Sequence, residues 1–149
     1  MSELTEGSIR IEAAPADVLR VITDFAGYPE WAEGVRSAEV AESDGRGRPT
    51  RVAFRVGMAG IDAAYTLAYT YAPRTAGVSW TTEQASGAVT DVEGEYGLKK
   101  EGDETLVTYR LRVEPSIPLP GFLKRHAERT IVDTALKGLK ARVESALPG

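Results

Sequence analysis

At 149 residues, with 42% hydrophobic and 27% charged side chains, the chain has the make-up of one soluble globular domain able to bury a core without staples. A net charge of -4 and a pI near 5.1 argue against nucleic acid as a partner, since phosphate binding needs a basic face. With no cysteine, disulfides, thiolate metal sites and cysteine nucleophiles are excluded.

The start, Met1 to Glu6, has neither a basic region nor an apolar run, so it does not read as a secretory signal. No stretch approaches the roughly 18 apolar residues of a membrane span, and a cytoplasmic location is expected. Ser8 to Glu12 alternates and predicts a strand. Pro15 then opens a helix whose inner face is Val18, Ile22 and Phe25, with Asp17 in the first turn where a negative charge suits the helix dipole. Gly27-Tyr28-Pro29-Glu30-Trp31 breaks that helix and begins a second, shorter one. Strands are predicted at 35–42, 49–57, 60–71, 77–84, 88–98 and 105–114.

Pro118-Leu119-Pro120-Gly121 announces a last helix from Phe122 to Leu147. Leu123, Ala127, Ile131 and Ala135 fall on one line of it, with Val132, Leu136, Leu139 and Val143 beside them. That stripe is wide enough to be buried, and the preceding sheet is the surface available to bury it. Ala127, Ala135 and Gly138 are small where bulky residues would fill a core, which suggests a space for a ligand.

Strand parities test one another, because hairpin partners must put apolar residues on one face. Pairing Lys99 with Glu104 sets Glu95 opposite Thr108, Glu93 opposite Arg110 and Asp91 opposite Arg112. A turn at Pro73-Arg74 places Tyr69 opposite Trp80 and Tyr71 opposite Val78. A turn over Gly57 to Gly60 places Phe54 opposite Ala63 and Arg55 opposite Asp62. All three hairpins agree on an antiparallel meander with one apolar face.

The order of strand, two helices, six antiparallel strands and long helix, with Tyr28-Pro29-Glu30-Trp31 and Pro118-Leu119-Pro120-Gly121 as punctuation, resembles the START-like (SRPBCC) helix-grip superfamily. Within it the chain is most similar to the bacterial polyketide cyclase/dehydrase and lipid-transport group, over about Thr5 to Leu147. The resemblance implies an α+β fold: a seven-stranded curved antiparallel sheet wrapped around a long C-terminal helix, with two short helices between the first and second strands. It also implies a single domain over 1–149 and a cavity between sheet and final helix that takes a hydrophobic small molecule.

The inward positions of the meander hold no Asp, Glu, Lys, Arg or His; their polarity comes from tyrosines, Trp80 and Thr82. Such a lining suits a ligand with few polar groups better than it suits acid–base chemistry, which needs a group titrating near neutrality. The expected ligand-binding residues are Trp31, Phe54, Met58, Tyr65, Trp80, Tyr96, Tyr109, Leu123, Ile131 and Ala135. The mouth is expected where the Gly57–Gly60 turn, the 85–88 connection, the 114–120 segment and the Trp31 helix gather, with Met58, Phe122 and Leu123 at its rim. Leucine at Gly94 or Ala135 is expected to fill the cavity and leave the fold largely intact.

His126, the single histidine, cannot assemble a zinc site of the usual kind without cysteines, and neither a metal nor a cofactor is expected. Asp91, Glu93 and Glu95 share the outer strand face with Arg110 and Arg112, so a solvated ladder is expected rather than a metal cluster. Three functions are open: carriage of a lipid, quinone or polyketide-like molecule; cyclase, aromatase or dehydrase activity on a poly-ketone in the same cavity; or a regulatory interaction module with a vestigial pocket. The basic residues Lys124 and Arg125 near the mouth allow at most transient contact with an anionic membrane.

Overall fold

The computed structural model describes residues 4–58, 61–72 and 77–146. Strand β1 (Thr5–Ile11) leads into helix α1 (Pro15–Thr23), a 3-10 turn at Phe25–Gly27, and the one-turn helix α2 (Tyr28–Trp31). Strands β2 (Val35–Ser43), β3 (Pro49–Met58), β4 (Ile61–Ala72), β5 (Gly77–Gly87), β6 (Val89–Glu101) and β7 (Glu104–Pro115) follow, then helix α3 (Gly121–Ala146). The strands form one antiparallel sheet in the order β1-β7-β6-β5-β4-β3-β2. This is the seven-stranded helix-grip architecture expected from the sequence. Leu147, the expected last helical residue, lies outside the described residues, as do the tips of the β3–β4 and β4–β5 turns.

All three predicted hairpins keep their faces, and two shift in register. Tyr69 opposes Trp80 and Tyr71 opposes Val78, as expected. Phe54, however, opposes Tyr65, and Arg55 opposes Ala64. Likewise Glu95 opposes Arg110, Glu93 opposes Arg112, and Glu101 rather than Lys99 pairs with Glu104. In both cases the strands run on to a two-residue loop, where a longer turn was expected. Gly102, at a φ of 62°, supplies the left-handed residue that such a tight loop demands. A slip of two residues preserves the face of every side chain, whereas a slip of one would reverse it.

Helix α3 packs along β1 and β7 and against α1. It crosses β1 at Gly7, where an added Cβ would stand 2.6 Å from Val132 Cγ1, so only glycine admits the crossing. Val132, Leu136, Leu139 and Val143 are buried against Ile11, Val18, Ile22 and Val107. Of the two predicted lines on α3, this one forms the core. The other thins out toward the N-terminus: Ala135 and Ile131 are half-buried, while Ala127 and Leu123 are exposed.

The expected empty space at Gly138 is occupied. The Trp31 carbonyl oxygen would lie 3.0 Å from a Cβ there, with the Trp31 ring 3.4 Å away. Gly138 is small because α2 packs on it.

Candidate functional site

The inner face of the sheet builds the candidate site from alternating strand residues. Phe54 on β3, Tyr65 and Tyr69 on β4, Trp80 on β5, Tyr96 on β6 and Tyr109 on β7 all point to the same side. Their rings join in a continuous wall. Tyr69 and Trp80 have centroids 5.7 Å apart, Trp80 and Tyr96 5.6 Å, and Tyr96 and Tyr109 4.5 Å. Phe54 lies 5.5 Å from Tyr65 at the other end. The 3-10 turn and α2 extend the wall: Phe25 sits 4.9 Å from Tyr69, and Tyr28 sits 4.9 Å from Trp31. Offset and tilted pairs of this kind are the favoured aromatic geometries.

Six of the ten expected binding residues, Trp31, Phe54, Tyr65, Trp80, Tyr96 and Tyr109, thus belong to one aromatic assembly, and Ile131 and Ala135 pack against the same core. Leu123 does not join them, being 44% exposed. The side chain of Met58 lies outside the described residues. Phe25, Tyr28 and Tyr69 were not singled out as binding residues, yet they complete the wall. Tyr69 carried a usable signal, since its parity matches that of Tyr65.

The polar atoms of this wall fall into two groups. The Tyr28 hydroxyl donates to the Ile22 carbonyl and the Tyr71 hydroxyl to the Pro49 carbonyl. The Thr82 hydroxyl is also engaged, donating to the Val92 carbonyl and accepting from the Val92 amide, both at 2.7 Å. By contrast the hydroxyls of Tyr65, Tyr69, Tyr96 and Tyr109 have no hydrogen-bond partner among the described residues. Trp80 Nε1 is sealed from solvent and also lacks a partner there.

Burial drives these phenols away from ionisation. Desolvation raises Tyr65 to about 12. It holds Tyr69, Tyr96 and Tyr109 well above the usual tyrosine value, with repulsion from neighbouring tyrosines adding to it. At neutral pH each is therefore a protonated donor.

At one end of the sheet several segments are tied together by main-chain bonds. Gly57 N donates to Gly34 O, Ala88 N to Asp62 O, and Ser116 N to Ala88 O. The β3–β4 end, the β5–β6 connection and the stretch before α3 do gather there. Trp31 does not: it packs at Gly138, in the C-terminal half of α3. The chain leaving α2 does return to this rim, since Gly34, three residues after Trp31, is the residue bonded to Gly57.

Gly94 was expected to border empty space, and the structure corrects this. A Cβ at Gly94 would collide with the Arg110 carbonyl and stand 2.8 Å from the Trp80 ring. The indole fills the volume that the missing side chain leaves.

One buried charge went unread in the sequence. Glu128 of α3 is 1% exposed. Its carboxylate accepts from the Thr5 hydroxyl at 2.8 Å, the Val113 amide at 2.8 Å and Lys124 Nζ at 3.1 Å. Val113 lies beyond Leu111, the partner of Thr5 near the start of β1, so the carboxylate takes the place of a strand neighbour. Lys124 also pairs with Glu114 at 3.4 Å, which turns its ammonium inward. On the outer face Arg112 binds Asp91 and Glu93, each at 2.6 Å, so the acidic row is a salt-bridge ladder. No group of metal-ligating side chains occurs among the described residues.

Comparison with known proteins fits this geometry. The family model described as polyketide cyclase/dehydrase and lipid transport matches residues 4–144. A START superfamily protein from Mycobacterium smegmatis superposes with a TM-score of 0.89 at 22% identity, covering 98% of this chain and 100% of its own. An aromatase/cyclase, ZhuI, from Streptomyces sp. R1128 gives a TM-score of 0.74 at 15% identity, with 98% and 96% of the chains covered. A STAR-related lipid transfer protein from Xanthomonas axonopodis gives 0.65 at 20% identity, with 93% and 84% covered. At these identities the solved structures speak to the fold. No curated protein sequence matches the chain.

Proposed function

The chain belongs to the polyketide cyclase/dehydrase and lipid-transport family, and from that premise we propose that it binds and carries a hydrophobic small molecule between the sheet and α3. The observation that carries this reading is the set of unpaired phenols on a wall without charge. Tyr65, Tyr69, Tyr96 and Tyr109 offer O–H donors among aromatic carbons, and beside them the Trp80 Nε1–H, sealed from solvent and without a partner among the described residues, costs free energy until an acceptor arrives. A molecule with a large apolar body and one or more neutral oxygens, such as a quinone, a polyketide-like ring system or a lipid ester, meets both demands. The half-burial of Ile131 and Ala135 on the facing side of α3 supports the same location. Trp31, Phe54 and Trp80 would supply the walls, and Met58 and Leu123 the rim.

The test is native mass spectrometry of protein purified from its own host, followed by titration with quinones, poly-ketones, fatty acids and phospholipids. A bound neutral, oxygenated molecule is expected. Ala135→Leu should stay folded and lose that binding, because Ala135 is half-buried beside the proposed space. Undiminished binding by folded Ala135→Leu would remove the site from this location.

A second reading, cyclisation or dehydration of a poly-ketone, draws on the same hydroxyls as orienting groups. Their raised pKa values disfavour proton transfer near neutrality, so any acceleration would come from folding the chain in a mould. A product mixture identical to that of the protein-free control would reject it.

A further inference from the structure

We propose that Ile117 to Leu123, the segment leading into α3, is a docking surface for an anionic lipid bilayer. Ile117 is 73% exposed, Leu119 45%, Phe122 66% and Leu123 44%. Among the described residues the other large apolar side chains this exposed, Leu4 and Val40, stand apart in sequence on other strands or segments. An exposed apolar cluster on a small domain calls for a partner.

The chemistry around the cluster selects a bilayer. From Ser116 to Ala127 there is no Asp or Glu, although the whole chain carries -4. Arg125 and His126 are exposed and have no carboxylate partner among the described residues. Lys124 is not part of this surface, because Glu114 and Glu128 hold it inward. Apolar side chains beside the unpaired guanidinium of Arg125 are what an acidic headgroup layer accommodates.

A second copy of the chain fits poorly, since a two-fold contact through this segment would bring two Arg125 side chains together. An extended peptide fits poorly as well. Pro115, Pro118 and Pro120 remove main-chain donors that strand addition would use, and Ser116 N is already bonded to Ala88 O. A bilayer asks for no directional bonds. The prolines help further by fixing the backbone, so that Ile117 and Leu119 are held outward with little ordering left to lose.

The proposal requires no ligand, so its failure and that of the carrier reading can be told apart. The experiment is co-sedimentation of the full chain with vesicles of phosphatidylcholine alone and of phosphatidylcholine mixed with phosphatidylglycerol. Wild type is expected to partition about tenfold more strongly to the anionic vesicles, by an amount that falls with added salt. The double substitution Ile117→Ser/Phe122→Ser should abolish binding, and Arg125→Glu should remove the preference for anionic vesicles, both with unchanged thermal midpoints. Equal, weak sedimentation with both vesicle types would overturn the proposal. So would a concentration-dependent dimer that the double substitution dissolves, which would assign the segment to self-association.

Discussion

Gly94 shows how much a single residue decides. It faces inward from β6, opposite Leu111 and beside Trp80, and its missing side chain is what lets the indole lie flat against the sheet. Gly94→Leu should therefore destabilise the protein by more than the about 1–3 kcal/mol of ordinary overpacking, because main chain as well as side chain must move. Even Gly94→Ala should lower the urea midpoint measurably. A Gly94→Leu protein as stable as wild type would mean that Trp80 has another rotamer open to it. Gly97, three residues on, makes the control: a Cβ there meets nothing within 4 Å, so Gly97→Ala should be nearly neutral.

At the scale of elements, the decisive joint is α3 against β1 and β7. Its C-terminal half is held by Val132, Leu136, Leu139 and Val143, and its N-terminal half by the buried Glu128. Removing one partner of a buried, hydrogen-bonded charge costs about 3–5 kcal/mol, because the others are left uncompensated. Glu128→Ala should approach that range in urea unfolding, since it strands the Thr5 hydroxyl, the Val113 amide and Lys124 together. Glu128→Gln should cost less, as an amide oxygen still accepts from the two neutral donors. Equal losses for the two variants would show that charge carries the whole effect. Hydrogen exchange should separate the halves of the helix, with Glu128→Ala loosening the first turns of α3 while the turns around Leu139 stay protected.

For the whole molecule the tyrosines act together. All six, Tyr28, Tyr65, Tyr69, Tyr71, Tyr96 and Tyr109, have pKa values raised in the folded state, with burial the largest cause for each. An acid whose folded value lies above its unfolded value of about 10 keeps its proton longer when folded. The stability tied to it is complete below about 10 and is lost as the pH rises through the folded value. For Tyr65 and Tyr71 that value is about 12. Phenolate absorbance should therefore rise in one cooperative step between roughly pH 10 and 12, together with loss of tertiary circular dichroism. Several tyrosines ionising gradually near pH 10 in an intact fold would contradict the closed aromatic interior.

Local physics made most of this architecture readable in the chain. Alternation of period two set the faces of β3 to β7, Pro15 and Pro120 placed two helix starts, and the 3.6-residue stripe marked α3. Tyr65, Trp80, Tyr96 and Tyr109 could be grouped because a face follows from parity alone. Only the tertiary structure decided which volumes are filled. Gly94 and Gly138 look alike as missing side chains, yet both are filled by tryptophans, Trp80 from the neighbouring strand and Trp31 from α2. Register escaped for a related reason, since a shift of two residues leaves the pattern of faces unchanged. Glu128 left a trace, a charge one turn before Val132 on the buried line. What satisfies it, the Thr5 hydroxyl and the Val113 amide, lies on two strands whose approach to α3 no local pattern encodes.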